Sequence, residues 1–177
     1  MPLPKKAVVA AEPIDLPASD ALSIQKNATD TFAGRSIGIL YADGSDKAVI
    51  DRIKAGVEKQ GGAVKLVAPK VGEIKVKGGT LKADGQLAGT PSVVFDAVVS
   101  VLMPDQAKLL AQDVGAVAWF ADAWFHCKTI GACEGTREHL FPKANITGDE
   151  GTPEPENFLA VGAKRHWERE PKVRDLA

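Results

Sequence analysis

Cys133 stands at the centre of Gly131-Ala132-Cys133-Glu134-Gly135, preceded by the short apolar run Thr129-Ile130. Small residues on both sides of a strand-to-helix turn let the backbone bend tightly and lift the apex side chain clear of the sheet, and a following helix lowers a thiol pKa. The chemistry this geometry serves is thiolate attack. It also requires a base and donors for the developing oxyanion. Glu134 works against it, since a carboxylate beside a thiol raises its pKa. His126 and His139 flank the strand, where the expected roles are helix cap or polar rim.

Elements must hold that turn in place. Ser36-Ile37-Gly38-Ile39-Leu40-Tyr41 is a nearly continuous apolar run, the pattern of a strand buried on both faces of a parallel sheet. Asp43-Gly44-Ser45-Asp46 then supplies a turn and a helix cap, and Val49, Ile50, Ile53 and Val57 recur at helical spacing up to Gly61-Gly62. Ala63 to Ala68 reads as a second strand ended by Pro69, which completes a βαβ crossover. Residues 70 to 91 predict a small hairpin around Gly78-Gly79, a decoration outside the core. Phe95 to Leu102 predicts a further buried strand, Gln106 to about Cys127 a long helix divided near Gly115, and Lys128 to Ala132 another strand. A short helix over Cys133 to Leu140 and a terminal helix over Asn157 to Glu168 follow. Strands alternating with helices predict an α/β fold, a three-layer flavodoxin-like sandwich with a mostly parallel central sheet. Residues 1 to 33, with Pro2, Pro4, Pro13 and Pro17 and no sustained period, predict an extended arm or linker, leaving 34 to 177 as the domain. Leu16 and Leu22-Ser23-Ile24 give that arm apolar groups to dock on a neighbouring surface.

Bulk properties narrow the function. The 177 residues carry 22 basic and 23 acidic side chains, net charge −1, dispersed along the chain, which argues against nucleic acid or an anionic lipid surface as partner. No apolar run reaches the length of a membrane span and the start lacks a secretory apolar segment, so a soluble chain without a targeting signal is expected, its compartment unknown. Cys127 and Cys133 are expected to be free thiols, and a metal site lacks ligands. Trp119, Phe120, Trp124 and Phe125 form an aromatic stripe at helical spacing that points to core or interface packing. Asp43 and Asp46 stand at the carboxyl end of the first strand, where open α/β sheets bind ligands; helix capping by Asp46 is the plainer role. Asn27-Ala28-Thr29 and Asn145-Ile146-Thr147 match glycosylation sequons.

Over roughly residues 35 to 145, the fold pattern and Gly-x-Cys-x-Gly spacing resemble the class I glutamine amidotransferase-like superfamily, which includes the PfpI-type proteases and their chaperone relatives. That resemblance implies a base at His166, in His166-Trp167-Glu168, and an acidic partner at Asp46. The chain departs from it in three places. Glu134 replaces the histidine that follows the cysteine in PfpI-like members. Met103-Pro104-Asp105 replaces a glycine-rich oxyanion turn, and Pro104 has no N–H to donate. His166 and Glu168, placed in one predicted helix, would point to different sides.

The ordered segments resemble one family more fully, the C-terminal flavodoxin-like domain of large-subunit haem catalases. Carrying residues include Ala21-Leu22-Ser23, Gly34 to Leu40, Gly61 to Pro69, Asp84 to Ser92, Asp96 to Val99, His126 to Ile130 and Arg165 to Lys172. The resemblance spans residues 20 to 177. It implies that haem and its ligands belong to a preceding domain absent from this chain, that the sole tyrosine, Tyr41, is no haem ligand, and that the chain holds no cofactor or metal of its own. The role implied is a non-catalytic accessory domain stabilising the subunit and homotetramer of a peroxide-decomposing parent, with the haem-containing domains as partners. Two alternatives stand beside it: a holdase chaperone acting on unfolded clients, and a hydrolase or amidase using Cys133 with Asp46 or His166. On the leading reading Cys133, Asp46 and His166 are vestiges and there is no catalytic residue.

Overall fold

A computed structural model describes residues 16 to 174 of the chain. Residues 1 to 15 of the expected arm lie outside the described part.

Five strands, β1 (Ser36–Tyr41), β2 (Ala63–Ala68), β5 (Gly85–Gln86), β6 (Ala97–Val101) and β7 (Ile130–Ala132), form one sheet in the order β5-β2-β1-β6-β7, every neighbouring pair parallel. A separate antiparallel hairpin joins β3 (Glu73–Val76) to β4 (Gly79–Lys82). The chain leaves β1 toward β2 on one side and returns to β6 on the other, so the switch of direction lies between β1 and β6; without the two-residue edge strand β5, the order β2-β1-β6-β7 is that of a flavodoxin-like sheet.

Strand periodicity distributes the core between two faces. Ile37, Ile39 and Tyr41 of β1, with Ala97, Val99 and Val101 of β6, meet Ile50, Ile53 and Val57 of α1 (Lys47–Lys59). Leu40 and Val98 point the other way, toward Trp119, Phe120 and Ala123 of α3 (Val114–Phe125) and Ala107 and Leu110 of α2 (Pro104–Leu110). Helices thus cover both faces, the three layers the sequence predicts. Gly38 keeps the sheet close to its cover, since a Cβ there would stand 2.6 Å from the Phe95 ring.

Four expectations need correction. The hairpin is not a decoration: Ile74 and Val76 are buried in the face shared with α1, Lys77 bridges Asp46, and the Tyr41 hydroxyl donates to the Leu81 carbonyl at 3.2 Å. Its alternating Ile-x-Val pattern had no predicted partner surface. The long helix divides at Ala111 to Asp113 instead of Gly115, because the Asp113 carboxylate caps the Gly115 N–H at 2.8 Å and starts α3. The first half begins at Pro104, whose missing N–H costs nothing in a first helical turn. The terminal helix over Asn157 to Glu168 does not form. The tail is instead broken into two short α-helices, α4 (Phe158–Val161) and α5 (Glu170–Arg174), and 3-10 turns at Pro155–Asn157 and Trp167–Arg169. Between them the chain turns at Gly162 and extends, so that Arg165 bridges Lys128 in antiparallel sense. Phe32, counted with the arm, is buried and stacks on Phe158 at 6.1 Å.

The aromatic stripe is core for Trp119, Phe120 and Trp124, whereas Phe125 remains 43% exposed. Both cysteines are free thiols. Among the described residues no helix is long and apolar enough to cross a membrane.

Candidate functional site

Strand β7 delivers Cys133 to the carboxyl edge of the sheet, beside the end of β6. Its edge is covered by the chain at 151 to 153: the N–H groups of Ile130 and Ala132 donate to the carbonyls of Gly151 and Pro153, both at 2.8 Å. The glycines around the cysteine answer to packing. A Cβ on Gly131 would lie 2.5 Å from Val99 Cγ2, and one on Gly135 2.9 Å from the Cα of Pro104, so β7 and the following turn sit tight against β6 and α2. After the turn the chain winds into a π-helical turn at Thr136–Leu140.

Cys133 is half-buried. Its sulfur donates to the Leu102 carbonyl at 3.3 Å and contacts Thr136 Oγ1 at 3.2 Å. Thr136 Oγ1 in turn meets Ser100 Oγ at 2.9 Å, and Ser100 donates to the Gly131 carbonyl at 3.2 Å. The strand end that would have to offer oxyanion donors therefore turns a carbonyl oxygen, an acceptor, toward the sulfur, and α2 opens on Pro104.

The supporting residues are committed elsewhere. Asp46 caps α1, accepting from the Ala48 N–H at 3.0 Å, and faces Lys77 Nζ at 3.3 Å; these contacts hold its carboxyl below the usual range. His166 precedes a 3-10 turn instead of sitting within a helix. It does pair with Glu168, its Nδ1 lying 3.2 Å from Oε1, contrary to the expectation that the two diverge. Its Nε2 meets Thr129 Oγ1 at 2.9 Å and its backbone N–H donates to the Cys127 carbonyl. Burial, then the nearby Arg169 guanidinium, pushes the imidazole pKa down. Thr129 precedes β7 and Cys133 follows it, so four residues of extended chain, about 13 Å, separate the two ends. His166 stands at the amino edge of the sheet and Cys133 at the carboxyl edge.

Other candidates fall into place. Asp43 pairs with Lys70 at 2.8 Å at the rim of a small cavity of about 230 Å³ between Ala42, Pro69, Ile74, Leu109 and Leu110. Lys70 holds the Asp43 carboxyl below its usual range. His126 ends α3, as a helix-end histidine was expected to, and its carbonyl accepts from Arg165. His139 lies in the π-helical turn, with Nε2 3.8 Å from Glu138. Tyr41 is fully buried, and burial followed by the Asp84 charge pushes its phenol to about 12. Among the described residues no three His, Cys, Asp or Glu side chains gather as metal ligands.

Sequence reasoning missed a charged cluster at the amino edge. Arg169, 1% exposed, grips Asp149 through Nε and Nη2 at 2.6 and 2.5 Å, donates to the Lys128 carbonyl at 2.6 Å, and lies 4.1 Å over the Trp124 ring. Lys128 is buried beside it and donates to the Ser92 carbonyl at 2.8 Å; burial, then the charge of Arg165, brings its amine down to about 8. Glycine at 151 was the available signal: a Cβ there would fall 2.1 Å from Arg169 Nη2 and 2.3 Å from the His166 ring.

No protein-family model matches the chain. Across 98% of its length the chain is 40% identical to Catalase C of Rhizobium meliloti (strain 1021), and across 73% it is 36% identical to Catalase HPII of Mycobacterium avium. The chain spans 26% and 19% of those relatives, about a quarter or less of their length. Among solved structures, a two-domain protein containing DJ-1/ThiJ/PfpI-like and ferritin-like domains from Anabaena variabilis ATCC 29413 superposes with a TM-score of 0.54 at 20% identity, over 63% of this chain and 32% of that one. That likeness is one of fold.

Proposed function

We propose that this chain is the C-terminal domain of a larger haem catalase and serves there as a non-catalytic accessory element that stabilises the subunit and its tetramer. The observation carrying the proposal is the likeness to Catalase C along nearly the whole chain, although the chain accounts for only 26% of that relative. The site geometry agrees with it. Cys133 donates to a carbonyl, its expected base is bonded to Thr129 beyond the opposite end of β7, and Asp46 caps a helix. The tyrosine here is not placed to ligate haem. Tyr41, the sole tyrosine, is buried and spends its hydroxyl on Leu81, which supports placing haem and peroxide chemistry in the remainder of the parent. The aromatic stripe lends the holdase alternative little support, because three of its four aromatics are core.

The test is deletion of residues 35 to 177 from the longer catalase. The expected result is a fall of several degrees in the temperature of thermal inactivation, with peroxide turnover at low temperature retained. An unchanged inactivation temperature would overturn the proposal.

A further inference from the structure

A groove of about 970 Å³ lies at the amino edge of the sheet between the arm and the segment around Arg165. Ile24 and Thr29 of the arm, Arg35, Phe125, Lys164 and Trp167 line it. We infer that this groove is the face through which the domain docks on the haem-bearing part of the longer polypeptide, an inference that rests on reading the chain as a catalase domain.

Three observations carry it. On that reading the preceding chain reaches the domain through the arm, so the first surface it meets is the groove that the arm itself walls. Upstream of Phe32, which anchors it in the core, the arm is shaped by polar bonds: Asn27 Nδ2 donates to the carbonyls of Asp20, Ala21 and Ser23, and Arg35 donates to those of Thr29 and Thr31. Leu22 and Ile24 are left 83% and 75% exposed on a fixed scaffold, an interface element prepared in advance. Across the groove Phe125 and Trp167 remain 43% and 37% exposed, although each adjoins a buried cluster. Aromatic edges beside guanidinium groups are the composition that marks the centre of protein interfaces. The carboxyl edge, with Cys133 and the small Asp43 cavity, faces away from this contact.

Hydrogen–deuterium exchange tests the inference by comparing the longer catalase with this chain alone. Amides of residues 24 to 31, 125 to 128 and 163 to 168 are expected to exchange at least about tenfold more slowly in the longer protein, and those of 103 to 109 and 133 to 137 at equal rates in both. Equal rates in the groove, or slowing at the carboxyl edge instead, would overturn the inference. Slowing that develops in the chain alone as its concentration rises would identify a second copy as the occupant and overturn it as well. An Ile24→Glu, Trp167→Ala variant of the longer protein should return groove amides to the rates of the isolated chain; unaltered protection rejects the assignment. Haem absorbance of the longer polypeptide separates the two levels. Without haem the catalase reading falls, whereas a haem-bearing protein with an unprotected groove removes only the docking face.

Discussion

Arg169 and Asp149 form a two-pronged ion pair at the base of the sheet, the guanidinium carbon 4.1 Å from the centre of the Trp124 ring and its remaining arm reaching the Lys128 carbonyl. One contact joins three segments: the loop after the π-helical turn, the end of α3 and the 3-10 turn of the tail.

Removing one partner strands the other. Asp149→Ala leaves an almost fully buried guanidinium without its counter-charge and is expected to cost about 3–5 kcal/mol. Arg169→Met, which keeps volume over Trp124 and deletes the charge, should cost less. Urea unfolding midpoints of the two variants decide the order, and a smaller loss for Asp149→Ala would contradict the account.

Alkaline stability follows from Lys128. Its folded amine titrates near 8 and its unfolded amine near 10.5, so between these values the unfolded chain binds more protons and stability rises with pH. Above about 10 the sign reverses for Tyr41, whose folded pKa near 12 exceeds its unfolded 10.0, so stability is lost as the unfolded phenol ionises first. Denaturation free energy measured from pH 7.5 to 11 should pass through a maximum, and Lys128→Met should abolish the rising limb.

Acid lability has a different source. His166, buried among Arg169, Glu168 and Asp149, has a folded pKa below 6.5, so the stability present above that value declines as pH falls and the unfolded imidazole takes up its proton first. Asp149 adds a second loss at lower pH. Its carboxyl is raised by burial and lowered by more through Arg169, with a net depression below 3.8. His166→Gln should flatten the decline just below pH 6.5 and leave the lower one, as followed by thermal melts at each pH.

Cys133 provides a packing prediction and an activity prediction. Gly131→Ala and Gly135→Ala must push Val99 or Pro104 aside and are expected to destabilise by about 1–3 kcal/mol. If the chain belongs to a longer catalase as proposed, Cys133→Ala should leave that protein's peroxide turnover unchanged. A turnover loss in a variant that melts normally would restore a chemical role to the thiol.

How much could be read in the chain varied with the range of the interactions. The apolar runs at 36–41 and 63–68 and the helical spacing of Ile50, Ile53 and Val57 are local, and they gave the central strands and α1. The tail was misread because its helical spacing is overridden by distant partners: Arg165 bridges Lys128, and His166 bonds Thr129, 37 residues away. The cysteine turn was legible as geometry. Glu134 and Pro104 already argued against its chemistry, but the acceptor facing the sulfur is the Leu102 carbonyl, 31 positions earlier, which no local pattern announces. The Arg169–Asp149 pair spans 20 residues and carries no motif, so only the packed fold exposes it.

The bond from Tyr41 to Leu81 also gives the molecule an optical label. With a single tyrosine in the chain, tyrosinate absorbance reports one location, the seam between β1 and the hairpin. Near-ultraviolet difference spectra taken in mild denaturant at pH 11 would therefore register the hairpin lifting from the sheet, separately from the emission of Trp119 and Trp124 on the opposite face and of Trp167 in the groove.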